Sequence, residues 1–391
     1  MKPTMRNAHW LVVALTFVVL GAQTVRKGMR AQGFDLDAYI QAGIAAMAGK
    51  TPYVIEGLAF PYIYSPFFAC LMVPWSWLPK VVAIIAWYVL SMWSVLFLVQ
   101  QAKCWIPNAG VASRWRGLAV VVLALGMFRL IHSNVVNGQV NLALIAMCVA
   151  FLIAERRGQH RRAGFWLALA VHTKALPILL LVYLLVRRRW AAIAWCAVFG
   201  VIFAVLPVVF WGGETIAFYE QYLSQLSTKI ANGTIDNGAL TIASSGEVEY
   251  FTLRGAVATL VPAASPSVVV KYVCLFVVVG GAAFVDWLLL RRRATACHAA
   301  AFSLYLAAAL MISPISEKHH LALMFPAWLL GAVAVMRRPN DVATMVALVL
   351  AVACIWLAKP WPEGPWYFLS VCLGLVLAWR SCHRELGVIS P

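Results

Sequence analysis

The chain has 391 residues, of which 63% are hydrophobic and only 12% charged, and so carries more apolar surface than a soluble domain of that length hides in one core. Its net charge of +17 does not point to nucleic acid, because the basic residues form short knots between apolar runs instead of one solvated face interleaved with aromatics. Composition therefore predicts an all-α, polytopic membrane protein, one integral membrane domain over 1–391. The nine cysteines lie mostly inside apolar runs and show no CxxC or Cys/His ligand spacing, which argues against a disulfide framework or a zinc site.

Spanning helices need about 20 apolar residues, and cytoplasmic loops collect Lys and Arg. Lys2 and Arg6 precede an apolar run with no small-residue cleavage site after it, so a first, uncleaved span is predicted over 8–26. Later basic knots occur at Lys103 with Arg114 and Arg116, Arg156 to Arg162, Arg187 to Arg189, Arg291 to Arg293, Arg337 with Arg338, and Arg380 with Arg384. Placing all of them inside makes 27–80 an outside loop and both termini cytoplasmic. Arg26, Lys27 and Arg30 then fall outside, against the positive-inside tendency.

Within 27–80, "GFDLDAYIQAGIAAMAGKTPY" predicts a helix near 38–48 that stops at Gly49, with Asp35 or Asp37 capping its start. The apolar stretch 61–79 is broken by Pro66 and Pro74 and is expected to be re-entrant, since proline-interrupted helix at membrane depth is tolerated where it lines a protein cavity. Its aromatics, Tyr62, Tyr64, Trp75 and Trp77, suit either a lipid or sugar site or an interfacial belt. Spans follow at 81–101, 116–133 and 140–155. The stretch 163–186 is flanked by basic knots, so it must leave and return where two full spans would need roughly 40 residues. Two half-length helices meeting near His172, Lys174 and Pro177 are predicted. A span at 190–211 leads to a long outside loop, 212–268, that opens with an amphipathic helix in "ETIAFYEQYLSQLSTKIANG". Spans at 269–290, 297–312, 320–336, 341–358 and 366–380 complete about twelve transmembrane and half helices.

This threading brings the odd polar clusters to one face, and ionisable groups at membrane depth are functional suspects. Asp35 and Asp37 either cap a helix or include a base. In "HSNVVNGQVN", Asn137 and Gly138 fit a helix start, whereas Gln139 and Asn141 carry amides that both donate and accept, as a hydroxyl-rich ligand requires. Lys174 either snorkels to the outer interface or meets a phosphate as a point charge. "SPISEKHH" is either an exposed turn, with Glu317 and Lys318 solvated, or part of a site. On a regular helix the neighbours His319 and His320 project about 100 degrees apart, so one of them at most is expected to act directly.

The motifs "DLDAYIQAGIAAMAGKTPYV", "YIYSPFFACLMVPWSWLP", "NGQVNLALIAM", "GFWLALAVHTKALPILLLVYLLVRRRW" and "SPISEKHHLALMFP" resemble, in order and spacing, glycosyltransferase family 87. These are GT-C fold bacterial membrane enzymes that include polyprenyl-phosphate-mannose-dependent mannosyltransferases and related arabinofuranosyltransferases. The resemblance matches Asp35 and Tyr39 to the family's acid and tyrosine, and so favours Asp35 over Asp37. It matches Gly138, Gln139 and Asn141 to GQxN, Lys174 and Pro177 to the lysine before a proline, and His319 and His320 to the late histidines. Glu317 stands where the family often has an aromatic, and Asn237 alone remains of an Asn-Gln-Ser in the long loop.

The resemblance implies a GT-C-like bundle with outside-facing loops, in the bacterial plasma membrane, that transfers a hexose, mannose foremost, from a polyprenyl-phosphate sugar to a cell-envelope glycan or glycolipid. Asp35 would be the base, with His319 or His320 and Lys174 at the phosphate and Gln139, Asn141 and Tyr64 beside the donor. Asp37, Tyr39, Asn137, Asn237 and Glu317 are candidate acceptor or sugar contacts. Membrane lipid is the expected surrounding. No metal, cofactor or nucleic acid is expected, and the transfer is expected to invert. The rivals are a transporter or flippase of a lipid-linked sugar, for which inverted repeats would be expected, and a non-catalytic GT-C homologue.

Overall fold

The structure, a computed structural model, describes residues 3–30, 34–55, 58, 61–103, 113–232, 234–236, 241–243, 268–291, 296–313, 318–338, 340–357 and 363–383. Helix α1 covers Pro3–Gly28, α2 Asp35–Met47, α3 Pro66–Leu71, α4 Val73–Ser76, α5 Lys80–Lys103, α6 Ser113–Val136, α7 Asn141–Arg156 and α8 His160–Thr173. A 3-10 turn at Leu176–Leu179 leads into α9, Leu180–Val186, followed by α10, Trp190–Val205, α11, Val208–Trp211, and α12, Thr215–Asn232. The remaining helices are α13, Val268–Leu290, α14, Ala296–Ile312, α15, Phe325–Arg337, α16, Val342–Leu357, and α17, Glu363–His383. A 3-10 segment, Lys318–Met324, precedes α15. The protein is an all-α polytopic membrane protein, and among the described residues its only departure is a short antiparallel ladder between Thr234–Asp236 and Thr241–Ala243.

Among the described residues, stretches at Lys80–Ala102, Gly117–Val136, Trp190–Ser227, Tyr272–Leu290 and Lys318–Arg337 are long and apolar enough to cross a membrane. They differ sharply in burial: the window in Lys318–Arg337 is 94% buried, that in Tyr272–Leu290 only 17%. The span that carries His319 and His320 is thus the central post, and α13 lies at the periphery of the bundle with most of its apolar side chains uncovered by protein. Shorter apolar helices, α14, α16 and α17 among them, pack around the post.

Prolines set the interruptions. Helix α3 starts on Pro66 and α4 carries Pro74 as its second residue, both within the first turn, where a missing N–H is no loss. The hairpin 163–186 is broken as expected: α8 ends at Thr173, Lys174 is extended (φ −156°, ψ 128°), and Pro177 opens the 3-10 turn. Close approach relies on small residues. A Cβ at Gly43 of α2 would lie 2.8 Å from the Met72 backbone carbonyl between α3 and α4, which lets α2 lie flat on the broken segment. The capping expectation fails there. The helix starts at Asp35 itself, its N-cap is Phe34, and no side chain caps it. Asn137 likewise does not cap α7, whose N-cap is Val140.

At the end of the bundle where the arginine knots gather, a buried polar network ties α7 and α9 to α13 and α14. Arg187 pairs with Asp286 at 2.8 Å, the two side chains 2% and 0% exposed, and Glu155 pairs with Arg189 at 2.7 Å. His298 Nδ1 lies 2.8 Å from an Arg187 nitrogen, and the Tyr183 hydroxyl donates to Glu155 at 3.2 Å. Removing one partner of such a pair leaves an uncompensated charge out of water. Asp286→Ala is expected to destabilise the protein by about 3–5 kcal/mol, read as a lower unfolding midpoint in detergent. Combining it with Arg187→Met should recover much of the loss.

Candidate active site

The opposite end of α7 holds the second polar centre, built from segments far apart in sequence. The α6–α7 turn is its frame. Gly138 takes φ +69°, in the left-handed region open to glycine, and the turn closes with Gly138 N–H donating to Val135 and Gln139 N–H to the Asn134 carbonyl at 2.8 Å. A Cβ on Gly138 would meet the Phe34 ring at 2.9 Å, so the start of α2 sits directly against the turn. The Asp35 N–H donates to the Asn137 carbonyl at 3.0 Å, which fixes where α2 and its acidic first residue begin.

From the extended break, Lys174 points to this turn. Its ammonium donates to Asn141 Oδ1 at 3.0 Å, lies 2.7 Å from His320 Nε2, and sits 5.6 Å from the centroid of the Tyr64 ring, within cation–π reach. A charged ammonium donates, so Nε2 accepts and the His320 proton belongs on Nδ1. Asn141 Nδ2 donates to Asn134 Oδ1 at 3.0 Å, and Asn134 Nδ2 to the His319 carbonyl at 3.0 Å. Gln139 is buried and touches Asn141 at 3.5 Å. The two histidines are both buried, on 3-10 backbone, with ring centroids 4.5 Å apart. Of the pair, His320 is the one bonded to Lys174.

A wall of tyrosines stands beside the lysine. Tyr39 and Tyr64 share a hydroxyl hydrogen bond of 2.8 Å, Tyr53 donates to the Tyr64 carbonyl at 2.9 Å, and Tyr62 to the Ser65 carbonyl at 2.8 Å. Burial pushes the Tyr39 phenol well above its ordinary pKa, so it remains a neutral hydrogen-bonding group. Ser65 caps α3 and also donates to the His172 carbonyl at the end of α8, joining the proline-broken segment to the half-helix hairpin. The amphipathic α12 closes over this wall: Tyr222 stacks on Tyr53 at 6.5 Å and Gln221 accepts from Thr51 at 3.0 Å. Trp77 goes elsewhere. It is 68% exposed, and Trp75 packs edge-on against Trp87, so of the aromatics in 61–79 the tyrosines, not the tryptophans, reach the site.

Asp37 also turns away. It pairs with Lys80 at 3.1 Å, and burial raises its carboxyl against the opposing pull of that lysine. Asn237 and Glu317 lie outside the described residues. Lys27, Asn134 and Lys318 belong to the cluster although the sequence did not single them out as site residues. Lys27 donates to Asn137 Oδ1 and shares electrostatic interactions with Asp35 and Lys318. Its signal was the violation of the positive-inside tendency: Lys27 is drawn into the protein, not left in an outer loop. Lysines 27, 174 and 318 together with two imidazoles, amides and hydroxyls suit an anionic ligand rich in hydroxyl groups. Among the described residues no group of His, Cys, Asp or Glu is arranged to hold a metal ion.

The model of glycosyltransferase family 87 matches residues 62–314. Two curated relatives carry the name polyprenol-phosphate-mannose-dependent alpha-(1-2)-phosphatidylinositol mannoside mannosyltransferase. The protein from Mycolicibacterium smegmatis is 24% identical over 347 residues, covering 82% of this chain and 74% of the relative. That from Mycobacterium tuberculosis is 26% identical over 377 residues, covering 90% and 82%. No solved structure matches.

Asn134 is fully buried and spans α6, α7 and the histidine segment. Asn134→Leu is expected to cost about 1–3 kcal/mol by leaving the His319 carbonyl and Asn141 amide without that partner, and thermal unfolding in detergent measures it.

Proposed function

The chain belongs to glycosyltransferase family 87 and is a membrane glycosyltransferase, and from that premise we propose that it moves a mannosyl group from a polyprenyl-phosphate donor to a glycan or glycolipid acceptor of the cell envelope. Transfer takes place at the outer face of the plasma membrane, on the side of the loops 27–80 and 212–268. The observation that carries the proposal is the contact of Lys174 with His320 and Asn141 beside the turn that anchors Asp35. The names of the two relatives support the choice of donor, and point to a phosphatidylinositol mannoside-like acceptor.

In the proposed reaction the acceptor hydroxyl gives its proton to Asp35 as its oxygen bonds to the anomeric carbon. On the opposite side the bond from that carbon to the phosphate oxygen breaks, so the configuration inverts. The polyprenyl phosphate leaves with one more negative charge, and the Lys174 ammonium, held by Asn141 and His320, stabilises that charge where it develops. This electrostatic role is what a divalent cation would otherwise supply, so the reaction is proposed to need no metal. His320 orients the ammonium through Nε2, and His319 packs on His320. Tyr64 and Tyr39 line the sugar side, with Gln139 and Asn137 as amide contacts. A transport reading is less favoured because the two polar centres sit at opposite ends of α7 and the buried α7 residues between them, Leu144, Ile145, Cys148 and Val149 among them, are apolar.

Purified protein given radiolabelled polyprenyl-phosphate mannose and phosphatidylinositol mannoside is expected to form a labelled glycolipid without added divalent cation. Asp35→Asn should lower kcat by about 10²–10⁴-fold while donor binding persists. Lys174→Met should weaken donor binding as well as turnover. Failure of the wild type to transfer to any envelope acceptor, together with an Asp35→Asn strain indistinguishable from wild type, would overturn the proposal.

A further inference from the structure

Helix α1 closes on two basic residues, Arg26 and Lys27, which suit the negative end of a helix dipole. Arg26 is exposed, whereas Lys27 is half-buried, and the proposed transfer gives it no part. Its ammonium donates to Asn137 Oδ1. Asn137 Nδ2 donates to the Ser133 carbonyl at 2.7 Å, which leaves Oδ1 turned to the lysine. The backbone carbonyl of the same residue takes the Asp35 N–H at 3.0 Å. Lys27 and Asp35 are therefore fastened to the side chain and the main chain of one asparagine.

The packing beneath repeats this arrangement. Phe34, the residue before Asp35, is buried. A Cβ on Gly28, the residue after Lys27, would lie 3.0 Å from its ring, and one on Gly138, the residue after Asn137, 2.9 Å. One ring thus locks three segments together, with a glycine on each side allowing the close approach. Lys27 interacts electrostatically with Asp35 and with Lys318 of the histidine segment, and acts on His132 of α6. On α2 itself the Tyr39 phenol lies in the field of Asp35, and Asp37 is engaged by Lys80. Among the described residues, Lys27 is the cation tied to the same asparagine as Asp35. A neighbouring cation favours the ionised form of a carboxyl group by about 1–3 pKa units.

We propose that Lys27 is a positioning residue that keeps the Asp35 carboxyl ionised, an inference that rests on the reading of Asp35 as the base. In each transfer Asp35 receives the proton of the acceptor hydroxyl and passes it to water before the next. The fixed ammonium, which keeps its own proton, favours that release. Carbodiimide coupling of glycine ethyl ester to Asp35, followed against pH by peptide mass spectrometry of the full-length protein in detergent, reads this ionisation without turnover, because the protonated acid is the form that reacts. In Lys27→Gln the midpoint of labelling is expected to rise by about one pH unit, and likewise in Lys27→Met, which retains the apolar stem. Lys27→Arg should restore the wild-type midpoint. Arg26→Gln, which removes an exposed charge from the same helix end, should leave it in place. In the transfer assay the acid limb of kcat/KM should move with the labelling midpoint, so that loss of the charge lowers the rate at acid pH and spares it at alkaline pH. An unmoved midpoint in either neutral variant that keeps the wild-type unfolding midpoint, or an equal shift in Lys27→Arg, would overturn the inference. A shifted midpoint in a protein that transfers no sugar overturns the role of Asp35 as base and leaves its tie to Lys27 standing, which separates the two failures.

Discussion

Everything at the functional end turns on one constraint: an ammonium group is held inside an apolar hairpin too short to cross the membrane twice. Lys174 sits where α8 has ended and the 3-10 turn has not begun, and its extended backbone lets the side chain leave the helix axis. A cation so placed needs partners with lone pairs, and it finds them in Asn141 and His320. Those two residues in turn belong to the start of α7 and to the buried central post. The lysine therefore brings together three separate pieces of the bundle, and the tyrosine wall contributes a ring face instead of a counter-charge.

The two polar centres of the molecule obey different rules. At the arginine-rich end, Arg187 pairs with Asp286 inside the bundle and Arg189 with Glu155 nearer its surface, which ties α7 and α9 to their neighbours. At the Lys174 end, lysines converge with imidazoles and amides around the anchored start of α2. Ionisable groups gathered in this way in an apolar setting mark a functional site. The same helix, α7, has one centre at each end, which places them about a membrane's half-thickness to full thickness apart.

Much of this was legible in the sequence because charge and proline act locally. The basic knots that bracket 163–186 forced a broken hairpin, and the prolines at 66 and 74 gave the segmented α3 and α4, both as found. The mutual approach of Lys174, Asn141 and His320 was foreseen only as a shared face. What the sequence hid depended on backbone detail: the first turn of α2 begins at Asp35 without a cap, and the histidines ride a 3-10 segment that no periodicity distinguishes from the helix after it. Asn134 was hidden in a helical run, since its role is a bond to a backbone carbonyl far along the chain. Lys27 was visible as an anomaly, but only tertiary packing explains it.

The turn at Gly138 has a further consequence. It positions the start of α2 on one side and presents Asn137 and Gln139 on the other, so the proton-accepting and anion-holding parts of the proposed chemistry share a single rigid joint. Among the described contacts of α12, by contrast, are those with Tyr53, Thr51 and Trp211. Descendants of such a scaffold can exchange one acceptor for another by redrawing that cover while the joint is inherited intact. Changes confined to α12 would then alter the approach to Thr51 and Tyr53 while leaving the joint at Gly138 in place.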